Sequence, residues 1–303
     1  MTLLGLGTYR SRDAATSAAV AASAGCPLID TAPVYGNGSH QADIASVLRE
    51  HPNVRVTSKV GHMSEGQARI ALSAGVLSEE DARFRHSIAP EYVHHQIAMS
   101  RTELRRPVLD VVYLHNPEHD YHARGNLHSR MREAFGALEE ATAAGKIGGY
   151  GVATWSGFDA AFTVRDLIRL AQEAAGRTET GLRAIQVPIS LVKIAPVREA
   201  LVGSGPLGEA DEAGLEVWAS APLHGGKLVH LVNEHLAHYI REAASPVEAA
   251  LLVTASAPGL TGVLISSSSA RHWASAAKVV GGPLLSETRL KDISDLLLSR
   301  QNT

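Results

Sequence analysis

A single cysteine, Cys26, stands in 303 residues, and one thiol excludes an internal disulfide and any cysteine-rich metal site. Such usage suits a reducing compartment. Cys26 precedes an apolar strand and reads as a small core residue, with a reactive thiol as the alternative. Excess charge is also missing: a net −3 with no acidic or basic tail gives no electrostatic case for nucleic acid or an anionic membrane surface. No apolar run approaches membrane-spanning length, and the opening "MTLLGLGTYR" has neither a basic leader region nor a long apolar core. We therefore expect a soluble, cytoplasmic protein. No Ser/Gly/Pro-rich linker divides the chain, which predicts one domain over residues 1–303. No heptad pattern or apolar strip marks an oligomer interface. Histidine is plentiful at 15, yet His94-His95 and the spaced loop histidines match no ligand pattern such as H-E-x-x-H, so no metal is expected.

What is present is one alternation, repeated. Hydrophobic residues make up 45% and charged residues 19%, an ordinary globular balance. Short runs rich in Val, Ile and Leu recur as "LLGLGT", "PLID", "VRVTSKV", "LDVVYLH", "GGYGVAT", "LRAIQVP", "LEVWASA" and "TGVLISS". Segments with helical apolar spacing separate them, among them "AATSAAVAASAG", "HQADIASVLREH", "EYVHHQIAMSRTELR" and "MREAFGALEEATAAGKI". Eight strands alternating with helices predict parallel pairing by right-handed crossovers, and the count points to a closed (β/α)₈ TIM barrel of α/β class. An open doubly wound sheet is the alternative; against it, "GLGTYR" lacks the third glycine and downstream acid of a dinucleotide fingerprint. Two segments, 61–90 and 223–245, are too long for plain turns and are expected to serve as lids or substrate walls.

In such a barrel the active site lies at the carboxyl ends of the strands. The second strand delivers Asp30 there, with Tyr35 just beyond; the third delivers Lys59 and the fourth His115. A phenol keeps its proton at neutral pH and can donate it to a carbonyl oxygen becoming an alkoxide. A nearby cation, Lys59, is expected to lower the pKa of Tyr35, and Asp30 to hold the Lys59 ammonium in place. His115 offers a neutral N–H that orients a carbonyl oxygen without adding charge. Each has a plainer reading: Asp30 as a helix cap, Tyr35 as a packed aromatic, His115 as a turn residue beside Asn116 and Pro117. Lys59 resists one, because the chain uses 6 lysines against 22 arginines and sets this one in an apolar strand. Jointly, at the ends of three successive strands, the four describe an acid catalyst with tuning and aiming groups.

The segments "GLGTY", "IDTAPVYGNG", "VTSKVG", "LDVVYLHNPE", "AAGKIGGYGVAT", "IQVP", "APLHGGKL" and "SPVEAALLVTASAPGLTGVLISSSS" resemble the aldo-keto reductase family in order and spacing over nearly the whole chain. The resemblance implies a barrel that binds NAD(P)H in an extended pose across the strand ends and reduces aldehydes or ketones, with Asp30, Tyr35, Lys59 and His115 as the catalytic tetrad. The "YLHNPE" and "GYGVAT" forms look closer to sugar- and polyol-handling or secondary-metabolite branches. By the same resemblance the cofactor lies along Gly7, Thr8, Tyr9, Ala153, Thr154, Gln186, Ser220, Leu223, Ser266, Ser267, Ser268 and His272.

That cofactor side is worn. Ala153 and Thr154 stand where the family has Ser-Asn, Ser220 replaces the aromatic that stacks on the nicotinamide, and Gln186 survives to reach the carboxamide. After the eighth strand a serine run leads to His272, Ser275 and Ala276, where the family grips the 2′-phosphate and adenine with Arg and Glu-Asn. Serines opening a helix can offer N–H groups and hydroxyls to phosphate; the plainer reading is a polar cap. The guanidinium fork is gone, so weak binding of NADPH, with NADH as the alternative, is expected. Three functions follow: a reductase with Tyr35 as general acid, a cofactor-independent isomerase or lyase using Tyr35 and Lys59 as acid and base, and a binding protein descended from a reductase. His119, His122, His224, His238 and Tyr239 fall in loops expected at the pocket mouth, a polar wall suited to a hydroxylated or glycosidic substrate.

Overall fold

The computed structural model describes residues 1–123 and 125–301. Eight parallel strands close into a barrel in sequence order: β1 (Leu3–Gly7), β2 (Leu28–Asp30), β3 (Arg55–Val60), β4 (Val111–His115), β5 (Tyr150–Ala153), β6 (Leu182–Pro188), β7 (Glu216–Ser220) and β8 (Gly262–Ile265). The ring is sealed by β1 against β8, with Leu3 opposite Gly262 and Leu6 opposite Ile265. The open sheet is thereby ruled out. Helices cover the outside, and their apolar faces complete one large core; Ala14–Ser23, His40–Glu50 and Pro90–Glu103 fall where the periodicity puts them. The helix after β4 begins at Leu127, four residues ahead of its apolar pattern. The amino ends are set by side-chain caps: Ser64, Thr163 and Ser245 each accept from the N3 amide and receive the reciprocal bond of a capping box.

Strand parity explains how the interior is filled. Side chains alternate across a strand, so residues two apart share a face. On β4, Tyr113 and His115 both point inward; on β3, Thr57 and Lys59; on β2, Leu28 and Asp30. The middle layer is apolar and plugs the barrel with Tyr113, Ala153 and Ala184 on one side and Leu28, Trp218 and Leu264 on the other. Trp218 fits only because its neighbours lack side chains: a Cβ at Gly262 would come within 2.4 Å of its ring, and one at Gly5 within 2.9 Å. At the amino end an Arg55–Glu216 ion pair (3.0 Å) closes the layer, with the Trp218 indole N–H donating to Glu216 (2.9 Å). Above the plug, the next inward positions carry polar groups. These are the candidates for chemistry.

The two long segments become walls. Residues 61–90 fold into helices Glu65–Ser73 and Glu79–Phe84 and return through a bridge between His62 and His86; the segment after β7 forms helices Leu228–Leu231 and Glu234–Ile240. Among the described residues, no helix is long and apolar enough to cross a membrane.

Candidate active site

The carboxyl ends of the strands open into a cleft of about 990 Å³. Asp30, Tyr35 and His115 line it, with Lys59 buried against its floor. Lys59 is 1% exposed and donates to Asp30 Oδ2 (2.6 Å) and to the carbonyl of Thr31 (3.0 Å). The other Asp30 oxygen, Oδ1, accepts from Thr57 (2.8 Å) and from the Gln186 amide (3.1 Å). Asp30 is thus no helix cap but the hub of a buried network. The ammonium of Lys59 lies 4.9 Å from the centre of the Tyr35 ring, and the imidazole of His115 meets that ring edge-on at 5.9 Å between centres.

The electrostatics correct one expectation. Burial pushes the Tyr35 phenol well above its ordinary pKa, and Asp30 and then Tyr9 push it further. The Lys59 cation, neutralised by Asp30 at 2.6 Å, does not bring it down. Lys59 itself is drawn below its ordinary range by burial, against which Asp30 pulls upward. His115 is held well below the usual imidazole range, first by burial, then by Lys59 and by His62, His86 and His119. The phenol is a firmly protonated acid, and the imidazole beside it is neutral.

Three histidines surround His115, of which sequence reasoning had assigned only His119, to the pocket mouth. His62 packs against His86, His115 and His119 with ring centres 4.5, 5.0 and 5.4 Å away. His86 Nε2 donates to the carbonyl of His115 (2.9 Å), an approach that requires Gly61, where φ is +147° and a Cβ would lie 2.6 Å from that oxygen. Burial, then His86 and His119, lowers His62 to about 3. Among the described residues, no group of three or more His, Cys, Asp or Glu side chains is arranged to hold a metal ion. The signal for His62 was its place three residues beyond Lys59 at the end of β3; only the return of the 61–90 segment to that strand end brings His86 alongside.

The expected cofactor positions divide. Gly7, Tyr9, Ala153, Thr154, Gln186, Ser220, Leu223 and Ser266 line the cleft. Thr8 does not; its buried hydroxyl donates to Thr31 (2.9 Å). Ser267, Ser268 and His272 also lie outside the wall. The serine run acts as the polar cap: Ser269 accepts from the His272 amide (3.4 Å), and the Ser267 hydroxyl accepts from the Ser269 amide (3.2 Å). His272 is exposed on the first turn of helix Ala270–Val280. Thr154 donates its hydroxyl to Glu118 (2.5 Å) and accepts from the Gly157 amide (2.7 Å), so it is already engaged. Gln186 spends its amide nitrogen on Asp30.

Of the residues expected at the mouth, His119 and His224 line the cleft, while His122, His238 and Tyr239 do not. His122 instead faces Asp81 (3.3 Å), and Tyr239 lies under the Arg289 guanidinium, 4.1 Å from its ring centre. Both long segments do contribute walls, through Met63, Phe84 and Arg85 on one side and His224 to Lys227 on the other. Arg10 and Lys227, unremarked in the sequence, line the β1/β7 side, where Ala221 and His224 hold positive φ of 50° and 49°. Strained non-glycine backbone of this kind gathers at ligand clamps.

The sequence matches the model of the "Aldo/keto reductase family" over residues 3–297. No curated protein matches it significantly. Similar solved structures include an aldo-keto reductase from Klebsiella pneumoniae in complex with NADPH, 21% identical, with 97% of this chain and 90% of that one covered at a TM-score of 0.66. Another is an aldo-keto reductase from Bacillus halodurans in its holo form, 16% identical, with 97% and 91% covered at a TM-score of 0.68. The match over nearly the full length, on a closed barrel whose carboxyl end gathers Asp30, Tyr35, Lys59 and His115, establishes that the chain belongs to the aldo/keto reductase family of oxidoreductases.

Proposed function

We propose that this protein uses NADPH to reduce the carbonyl group of a small hydroxylated or secondary-metabolite aldehyde or ketone, or catalyses the reverse oxidation, with Tyr35 as general acid. The observation that carries the reading is the buried Asp30–Lys59 pair (2.6 Å) beneath a protonated phenol and a neutral imidazole that face one cleft. When bound, the dinucleotide supplies the hydride that goes to the carbonyl carbon. The Tyr35 hydroxyl gives its proton to the carbonyl oxygen as charge develops there. His115 aims that oxygen from Nε2, since its Nδ1 is buried with no hydrogen-bond partner. Lys59, fixed by Asp30 and the Thr31 carbonyl, forms the charged floor beneath the Tyr35 ring and holds it in place. The cleft fits a dinucleotide in size and charge, with Arg10 and Lys227 near the strained loop after β7 and Ser220, Leu223 and Ser266 along the same side. An aldo-keto reductase of similar fold from Klebsiella pneumoniae is known in complex with NADP and acetate.

A second reading, a cofactor-independent isomerase or lyase using Tyr35 and Lys59, draws on the serine run, which caps its own helix, and on His272, which lies off the cleft. Loss of nicotinamide absorbance with a panel of aldehydes and ketones separates the two. Substrate-dependent NADPH consumption is expected; isomerised product without it would replace the reductase by the second reading.

A further inference from the structure

His62 sits beside His115 on the cleft wall, and its hydrogen bonds fix which of its nitrogens carries the proton. The backbone N–H of Trp155 donates to Asn116 Oδ1 (2.8 Å), and a backbone N–H can only donate. The Asn116 amide is therefore oriented without ambiguity, and the group 3.3 Å from His62 Nε2 is its NH₂. Asn116 is held there by a left-handed backbone, φ 49°, at the end of β4. His62 Nε2 must accept, so the neutral ring carries its proton on Nδ1. His119 Nδ1 also lies 3.3 Å from that nitrogen, whose single in-plane lone pair the Asn116 amide already uses. Among the described residues His62 Nδ1 has no partner, and it is not one of the buried polar atoms left unsatisfied; it opens to the cleft. Two neutral imidazoles, with ring centres 5.0 Å apart, thus line the same cleft.

From this pairing we infer that His62 is a specificity residue that donates from Nδ1 to a second oxygen of the substrate, a hydroxyl one or two carbons from the carbonyl that His115 and Tyr35 engage. The preferred substrates are then hydroxyaldehydes and hydroxyketones rather than simple alkyl carbonyls. The ring is neutral and so offers a directional donor instead of a charge, which suits a hydroxyl; a carboxylate would draw a cation. The inference rests on the reading of the cleft as a carbonyl-reducing site.

Glyceraldehyde and propanal, of equal carbon number, are the probes. His62→Phe keeps a ring and removes the donor; it should lower kcat/KM for glyceraldehyde by roughly five- to tenfold, the loss of one neutral hydrogen bond, and leave propanal within about twofold. His62→Asn, whose amide nitrogen falls near the Nδ1 position, should recover part of the loss, whereas His62→Gln, which reaches toward Nε2, should not. Equal losses for both aldehydes would assign His62 a structural role and overturn the inference. A readout that needs no turnover keeps the two ideas apart: in ¹⁵N-imidazole spectra of the wild-type protein with NADP⁺, His62 should appear as the Nδ1–H tautomer, and glyceraldehyde but not propanal should shift it. An Nε2–H tautomer, or no shift with glyceraldehyde, overturns the assignment of His62. A shift without any carbonyl reduction would leave that assignment standing and sink the reductase reading alone.

Discussion

The two rims of the cleft differ in how much each atom is constrained. On the β2–β4 rim Asp30 accepts three hydrogen bonds from side chains on β3 and β6, Lys59 is enclosed, and Tyr35 and His115 meet edge-on. Across the cleft, Ser220 and Ser266 are small side chains on the wall, Ser267 and Ser269 serve their own helix, and His272 stands in solvent. Chemistry demands placement within a fraction of an ångström, and a displacement of about 1 Å can cost about a hundredfold in rate. Grip on an extended ligand is a sum of separable contacts, so losing two of them weakens binding without disabling the reaction. One rim is built for position; the other offers few free polar groups, and weak dinucleotide binding is expected of it.

The comparison breaks most visibly at Tyr35. Tyr35→Phe removes one oxygen and should lower turnover by at least about 10²-fold while leaving dinucleotide affinity nearly unchanged. Activity that survives in the Phe variant would end the general-acid role. Because burial and Asp30 raise this phenol, the proton stays on as pH climbs: the ultraviolet difference between wild type and Tyr35→Phe should show no phenolate signal until above the ordinary tyrosine range. Lys59→Arg comes next. A planar guanidinium cannot take the place of an ammonium held between Asp30 and the Thr31 carbonyl, so turnover should fall by roughly tenfold or more even in a folded protein. Lys59→Met should also lose about 3–5 kcal/mol of stability, since it leaves the Asp30 charge buried without a partner. Near-normal turnover in a folded Arg variant would reduce Lys59 to a structural charge.

How much of this was legible in the sequence follows from the same contrast. Strand ends are readable, because parity and an apolar run fix which side chain points inward; hence Asp30, Lys59 and His115 could be placed before any coordinates. The balance of forces on Tyr35 was not, since the neutralisation of Lys59 by Asp30 depends on a 2.6 Å distance that no spacing reveals. His62 stayed hidden because the 61–90 segment folds back on the end of β3 only in three dimensions. His122 and Tyr239 were misplaced because loop order gives nearness in sequence, whereas Asp81 and Arg289 draw them elsewhere. The serine run was readable both as a phosphate cradle and as a cap; the hydrogen bonds of Ser267 and Ser269 favour the cap.

The smallest effect bears most directly on the claim that position has been kept while grip has been relaxed. Without a stacking aromatic at Ser220, about 0.5–1.5 kcal/mol is lost, and without a guanidinium at His272 about 1.5–3 kcal/mol more. Together these weaken dinucleotide binding by roughly one and a half to three decades against a site that has both. Arg10 and Lys227 line the cleft wall and are expected to attract the diphosphate, whichever dinucleotide carries it. The measurement is a titration of the purified protein with NADPH and with NADH, followed by quenching of tryptophan fluorescence, with Trp155 on the cleft wall as reporter. The account predicts that both bind, that both are held loosely, and that NADPH is favoured only slightly because no guanidinium meets its 2′-phosphate. Tight binding with a strong preference for NADPH would contradict the relaxed grip, and no binding of either dinucleotide would contradict the reductase itself.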